Sequence, residues 1–194
     1  YVVLKYAQTL DGRIAASSGD SKWISGTQER RVSHALRAAS DAVLVGAGTA
    51  VADDPLLTVR MVPGASPIRV VLDSTLRVPL DAQVFGPDAA TVILTSERSS
   101  PDRRAALRLR GVKVEVVREA PDGIDLAAGL ARLRSLGIRC VLVEGGTPGL
   151  SCTGRFKTIG GENLAEIQSL APLGSEYCSV LEKGLTAARW SDRR

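Results

Sequence analysis

The stretch Asp41–Arg60, DAVLVGAGTAVADDPLLTVR, changes character three times within a short span. Ala42–Val45 is an apolar run of the kind a buried strand supplies. Gly46-Ala47-Gly48-Thr49 then breaks it with two glycines around one small residue. That pattern reads as a turn that lets backbone approach a ligand phosphate or ribose. Asp53 and Asp54 follow, stopped by Pro55, and Arg60 stands beyond the apolar pair Leu56-Leu57. Strand, glycine turn, carboxylates and arginine form the layout of a small-molecule site at the carboxyl end of a strand. Val51 occupies the place where a dinucleotide fingerprint needs its third glycine, so this is not the Rossmann motif. Adjacent aspartates before a proline also make an ordinary turn, and local chemistry alone leaves the two readings level.

Outward from this stretch, apolar runs alternate with helical patterns. Tyr1–Ala7, Ile68–Leu72, Thr91–Thr95, Val112–Val117 and Ile138–Val143 read as strands. A helix is expected from about Thr27 to Ala39, with Ser25 and Gln28 as a capping box and Val32, Leu36 and Ala39 as its apolar stripe. Arg30, His34 and Arg37 fall on another face; His34, the single histidine, is expected at a surface position. Pro101–Arg110 reads as a helix with proline in its first turn and Gly111 past its end. A further helix is capped by Asp125 and closed by Gly137. Asp73-Ser74-Thr75 and Glu144-Gly145-Gly146-Thr147 follow strands, as the central motif does. In a parallel α/β sheet such tips gather along one edge, which suits a nucleotide-type cofactor.

Composition narrows the classes. The 194 residues are 44% hydrophobic and 4% aromatic, as expected for one domain with an aliphatic core. The 25 basic and 21 acidic residues leave a net charge of +4 without a basic block or interleaved aromatics, so nucleic acid is not an expected partner. Cys140, Cys152 and Cys178 are too few and scattered for a zinc site, and no metal is expected. Their odd number argues against a secreted disulfide framework. Cys140 is expected in the core. No signal peptide is visible and no apolar stretch approaches the roughly 20 residues that span a bilayer. No membrane partner is expected, and a cytoplasmic location is.

Six blocks in order, LKYAQTLDGRIA, GDSKWISG, HALRAASDAVLVGAGT, ADDPLLTVR, IRVVLDS and VLVEGG, resemble the reductase domain of the bifunctional riboflavin-biosynthesis deaminase/reductase. The resemblance covers about Tyr1 to Gly146. It implies a dihydrofolate-reductase-like α/β fold, with a mostly parallel central sheet flanked by helices. It also implies NADPH-dependent reduction of 5-amino-6-(5-phosphoribosylamino)uracil to the ribitylamino compound, by hydride transfer to ribose C1′, and a homodimer. The deaminase half of that family carries His-x-Glu and Pro-Cys-x-x-Cys zinc signatures, which this chain lacks.

Carried over by motif, Ala7, Trp23, Thr49, Asp53 and Ser74 are expected along the cofactor. Gly146, Thr147, Pro148, Gly149 and Leu150 are expected to cradle its pyrophosphate. Ser21, Arg37, Leu57, Arg60 and Glu144 are expected to meet the substrate, with Lys5 nearby. Arg37 and Arg60 offer forked donors suited to a sugar phosphate. Glu144 is an acceptor for pyrimidine or ribose hydroxyls, and Lys5 or Asp53 is the expected proton source. The chain is expected to be one reductase domain over 1–194. Its part from 147 to 194 departs from the family pattern, with Pro148-Gly149 where a helix is due. Two other readings stay open: a non-catalytic NADPH-binding relic of the fold, and a reductase of the 2,5-diamino pyrimidine or another small substrate such as a pterin.

Overall fold

The computed structural model describes residues 1–5, 26–121 and 123–145. The element order begins with strand β1 (Val2–Lys5), helix α1 (Thr27–Ala38), strand β2 (Ala42–Gly46) and helix α2 (Ala47–Asp53). Strand β3 (Ile68–Leu72) leads through a 3-10 turn at Gln83–Phe85 to β4 (Thr91–Thr95), helix α3 (Pro101–Leu109) and β5 (Lys113–Val116). A short hairpin of β6 (Glu119–Ala120) and β7 (Gly123–Ile124) precedes helix α4 (Leu126–Ser135) and strand β8 (Val141–Glu144).

Among the described residues six strands pair in the order β1-β8-β2-β3-β4-β5, and every pairing in that sheet is parallel. This is the expected α/β arrangement. The chain lays β2, β3, β4 and β5 side by side, then returns through α4 to insert β8 between β1 and β2. Right-handed crossovers in opposite directions put their helices on opposite faces. Accordingly Val43, Val45, Val71, Ile93 and Leu142 pack with Leu36 of α1, Ala47 and Ala50 of α2 and Leu107 of α3. Leu44, Val70, Leu72, Leu94 and Val143 pack on the other face with Leu126, Leu130 and Leu133 of α4. Val43, Val70, Val71, Ile93 and Leu142 are each 0% exposed, and burial of such a side chain contributes about 1.5–3 kcal/mol.

Local signals set most element ends. The Ser100 side chain accepts from the Arg103 amide, with Pro101 opening α3. The Asp125 side chain accepts from the Ala128 amide to cap α4. Gly111 (φ +80) and Gly137 (φ +87) follow the ends of these helices in the left-handed region that glycine tolerates.

Elsewhere tertiary packing overrode the expectation. Gly46–Thr49 is not a turn: Gly46 ends β2 and caps α2, which starts at once with Ala47. The alanines of AGTAVAD favour helix, and Ala47 and Ala50 bury against the core. The capping box expected at α1 rests on Ser25, which lies outside the described residues. Gly26 is the N-cap, without a side-chain bond. Val32 and Ala39 face outward, Val32 at 39% exposure, whereas Ser33 and His34 are buried. The helix is therefore rotated, turning the His34/Arg37 side toward the protein. Cys140 is half-buried rather than core. It belongs to a connection whose Arg139 and Cys140 amides donate to Asp41 Oδ2, so β8 begins only at Val141.

Candidate active site

In a parallel sheet the strand tips share one edge, and here they gather the polar residues. Lys5 ends β1 in register with Glu144, which ends β8. Alternation places both on the α1 and α2 face, because Leu142 and Val3, two residues earlier, pack there. Neighbouring strands lie about 4.8 Å apart, so register brings the Lys5 and Glu144 stems together.

Glu144 is 8% exposed and needs a partner there. Arg37 provides it: Nε donates to Oε1 and a terminal nitrogen donates to Oε2, both at 2.8 Å. The other terminal nitrogen donates to the Thr58 carbonyl at 3.1 Å. The fork expected to receive a substrate phosphate is thus engaged by Glu144. Arg37 orients this carboxylate and ties it to the segment after α2.

Arg60 stays exposed, with one terminal nitrogen donating to Thr58 Oγ1 at 2.7 Å. Its backbone N–H donates to Nδ1 of His34 at 3.0 Å. His34 is 6% exposed, and burial, then the charges of Arg37 and Arg60, lower its pKa from the ordinary value against the opposing pull of Glu144. Sequence reading placed His34 on the surface. Its i, i+3 spacing to Arg37 was the available signal that both share a working face.

The cofactor half of the expected site lies beside these groups, past β2 and β3. Thr49, in the first turn of α2, is 5% exposed, and its Oγ1 is buried without a hydrogen-bond partner among the described residues. A native buried hydroxyl rarely stays unpaired, so this atom fits a ligand that brings a polar group. Asp53 ends α2 and is exposed. Asp54, in the left-handed region at φ 40, is structural: its Oδ1 accepts from the Gln83 amide at 2.7 Å. Ser74 is half-buried, and its carbonyl accepts from Ser96 Oγ at 2.8 Å and Thr95 Oγ1 at 3.2 Å, tying the tips of β3 and β4. Leu57 (φ 54), expected to meet the substrate, sends its side chain into the core instead. Ala7, Ser21, Trp23, Gly146, Thr147, Pro148, Gly149 and Leu150 lie outside the described residues.

Among the described residues no cluster of His, Cys, Asp and Glu is arranged to hold a metal ion. No helix among them is long and apolar enough to cross a membrane.

Comparisons with known proteins agree with this architecture. The profile of the family described as RibD C-terminal domain matches residues 1–150. The 2,5-diamino-6-ribosylamino-4(3H)-pyrimidinone 5′-phosphate reductase of Methanothermobacter thermautotrophicus is 45% identical over 150 residues, covering 76% of this chain and 68% of that protein. Riboflavin biosynthesis protein RibD of Aquifex aeolicus is 42% identical over 147 residues, covering 75% of this chain and 40% of RibD. Among solved structures, RibD of Acinetobacter baumannii superimposes with a TM-score of 0.63 at 33% identity, covering 78% of this chain and 41% of the other. A deaminase/5-amino-6-(5-phosphoribosylamino)uracil reductase of Thermotoga maritima gives 0.59 at 37% identity, covering 75% and 38%. The chain therefore spans about 40% of the RibD proteins it matches. The dihydrofolate-reductase-like fold expected from the six blocks is the fold of these neighbours. With its first 150 residues matched by the family profile and its fold shared with RibD of Acinetobacter baumannii, the chain belongs to the RibD C-terminal domain family.

Proposed function

We propose that the chain is an NADPH-dependent reductase of riboflavin biosynthesis that acts on 5-amino-6-(5-phosphoribosylamino)uracil. The observation that carries the reading is the cluster at the tips of β1 and β8, where Lys5 lies in register with Glu144 and Arg37 ties Glu144 to the segment holding Arg60. NADPH, when bound, would supply the hydride that C1′ of the ring-opened, imine form of the ribosylamino group takes up. Thr49, Asp53 and Ser74 would line the cofactor, and the buried Thr49 hydroxyl would be a ready partner for one of its polar groups.

The chain's own work is positioning, which supplies much of the barrier reduction in such a transfer. Arg60, exposed and already leaning on Thr58, presents its remaining donors to the substrate phosphate. Glu144, held rigid by two bonds from Arg37, accepts from a ribose or pyrimidine donor. Reduction of the imine moves the C=N electron pair to nitrogen, which must gain a proton. Lys5 is the group that register puts beside Glu144, whereas Asp53 lies six residues along α2 from Ala47, about 9 Å down the helix. This favours Lys5 as the proton source and leaves Asp53 to the cofactor. A homodimer and a cytoplasmic location belong to the same reading.

The test is substrate-dependent loss of NADPH absorbance by the purified chain. NADPH binding without turnover would favour a non-catalytic relic. A second substrate has its own support: the Methanothermobacter relative, 45% identical and 68% covered, is named for the 2,5-diamino compound. Parallel assays with both pyrimidines distinguish them by kcat/KM.

A further inference from the structure

Residues 58–60 belong to no strand, yet three of their backbone groups are closed by side chains. The Thr58 carbonyl accepts from Arg37 at 3.1 Å, the Val59 amide donates to Ser66 Oγ at 3.0 Å, and the Arg60 amide donates to His34 Nδ1 at 3.0 Å. Two of these three clamps come from one face of α1. Backbone groups removed from water must find such partners, and here the partners also set where Arg60 begins.

We infer that His34 is a positioning residue: its neutral ring, accepting through Nδ1, fixes the backbone at Arg60 and thereby aims the guanidinium that receives the anionic end of the substrate. This rests on the assignment of Arg60 to the substrate phosphate made above. The ring must be neutral, because a protonated Nδ1 donates and has no lone pair to accept with. The charges that act on it are Arg37 on α1, Arg60 on the following segment and Glu144 on β8, beside which register places Lys5. Burial and the two nearest arginines oppose protonation, and Glu144 favours it. The lock is therefore closed at neutral pH and opens on acidification.

The test compares wild type with His34→Leu, which removes the acceptor, and His34→Asn, whose Oδ1 keeps one without titrating. His34→Leu is expected to raise KM for the phosphorylated pyrimidine about tenfold with kcat within about twofold, as loss of an aligned binding group does. His34→Asn is expected to stay within about threefold of wild type, since its acceptor survives. Substrate phosphate titrates in the same range, so the pH readout is a difference: as pH falls below the ordinary imidazole value, KM rises more steeply for wild type than for His34→Asn. An unchanged KM in His34→Leu, or an equal rise in His34→Asn, overturns the inference. If His34→Leu does not fold, identical pH profiles of wild type and His34→Asn overturn it. Absence of any turnover in the wild-type chain would instead defeat the functional reading. The lock is then read from exchange of the Arg60 amide, expected to be about tenfold faster in His34→Leu as protection is lost, and equal exchange rejects it.

Discussion

Arg37 and Glu144, 107 residues apart, meet through two parallel hydrogen bonds of 2.8 Å with side-chain exposures of 13% and 10%. A bidentate pair this sheltered gains geometry as well as charge. Removing one partner leaves the other buried and uncompensated. Arg37→Ala is expected to cost about 3 kcal/mol in denaturant unfolding and to lower activity further, because Glu144 loses its orientation. Arg37→Lys retains the charge without the fork, so its activity should fall more than its stability. Equal stability of Arg37→Ala and wild type would show that the pair contributes little.

Arg60 differs from Arg37 in being exposed, with donors to spare. Arg60→Ala is expected to raise KM for the phosphorylated pyrimidine by about 10- to 100-fold while leaving kcat near wild type, the signature of lost uniform binding. A large fall in kcat at unchanged KM would contradict a phosphate-binding role.

Asp53 offers a complementary measurement on the cofactor side. Its side chain ends α2 in contact with solvent, so Asp53→Ala should leave the thermal midpoint within a few degrees. Its kcat/KM for NADPH should fall at least about tenfold on the proposed role of Asp53 in holding the cofactor. Near-normal kinetics in both substrates would remove Asp53 from the site.

Gly64 sits at φ +144, and a Cβ there would lie 2.7 Å from the Ala38 Cβ at the end of α1. Both the conformation and the close approach exclude a side chain. Gly64→Ala should destabilise the fold by about 1–3 kcal/mol and loosen the 58–67 segment, so that KM rises together with the loss of stability. A neutral effect in chemical denaturation would mean that the loop shifts freely past α1.

His34 also predicts the sign of a stability change with pH. Its folded pKa is lowered, chiefly by burial and then by Arg37 and Arg60. The unfolded chain therefore takes up the proton first as pH falls below the ordinary imidazole value of about 6.5. The contribution is fully present above that value and is lost as pH drops toward the lower folded one. His34→Asn should flatten this part of the curve in thermal melts at stepped pH; an unchanged slope would assign the acid loss to other groups.

What was legible in the sequence followed from signals that act over a few residues. Pro101, Asp125, Gly111 and Gly137 mark helix ends because a missing N–H, a capping carboxylate or a positive φ is a local requirement. The runs at Ala42–Gly46, Ile68–Leu72 and Thr91–Thr95 read as strands because strands buried on both faces are predominantly apolar along their length. The direction in which α1 faces was not legible. Val32 and Leu36 suggested one stripe, yet Val32 is exposed and His34 is buried, because Glu144 and the Thr58–Arg60 backbone required donors and acceptors from that side.

The sequence by itself determined the alternating strand and helix order, the family blocks and the residue types that reach the strand tips, since each rests on short-range spacing or on motif identity. Only the tertiary structure decided that Gly46–Thr49 opens a helix, that the Arg37 fork closes on Glu144, and that His34 holds Arg60. Those outcomes depend on which groups burial leaves in need of a partner. Such partners come from β8, α1 and the segment after α2, which only the insertion of β8 between β1 and β2 brings together.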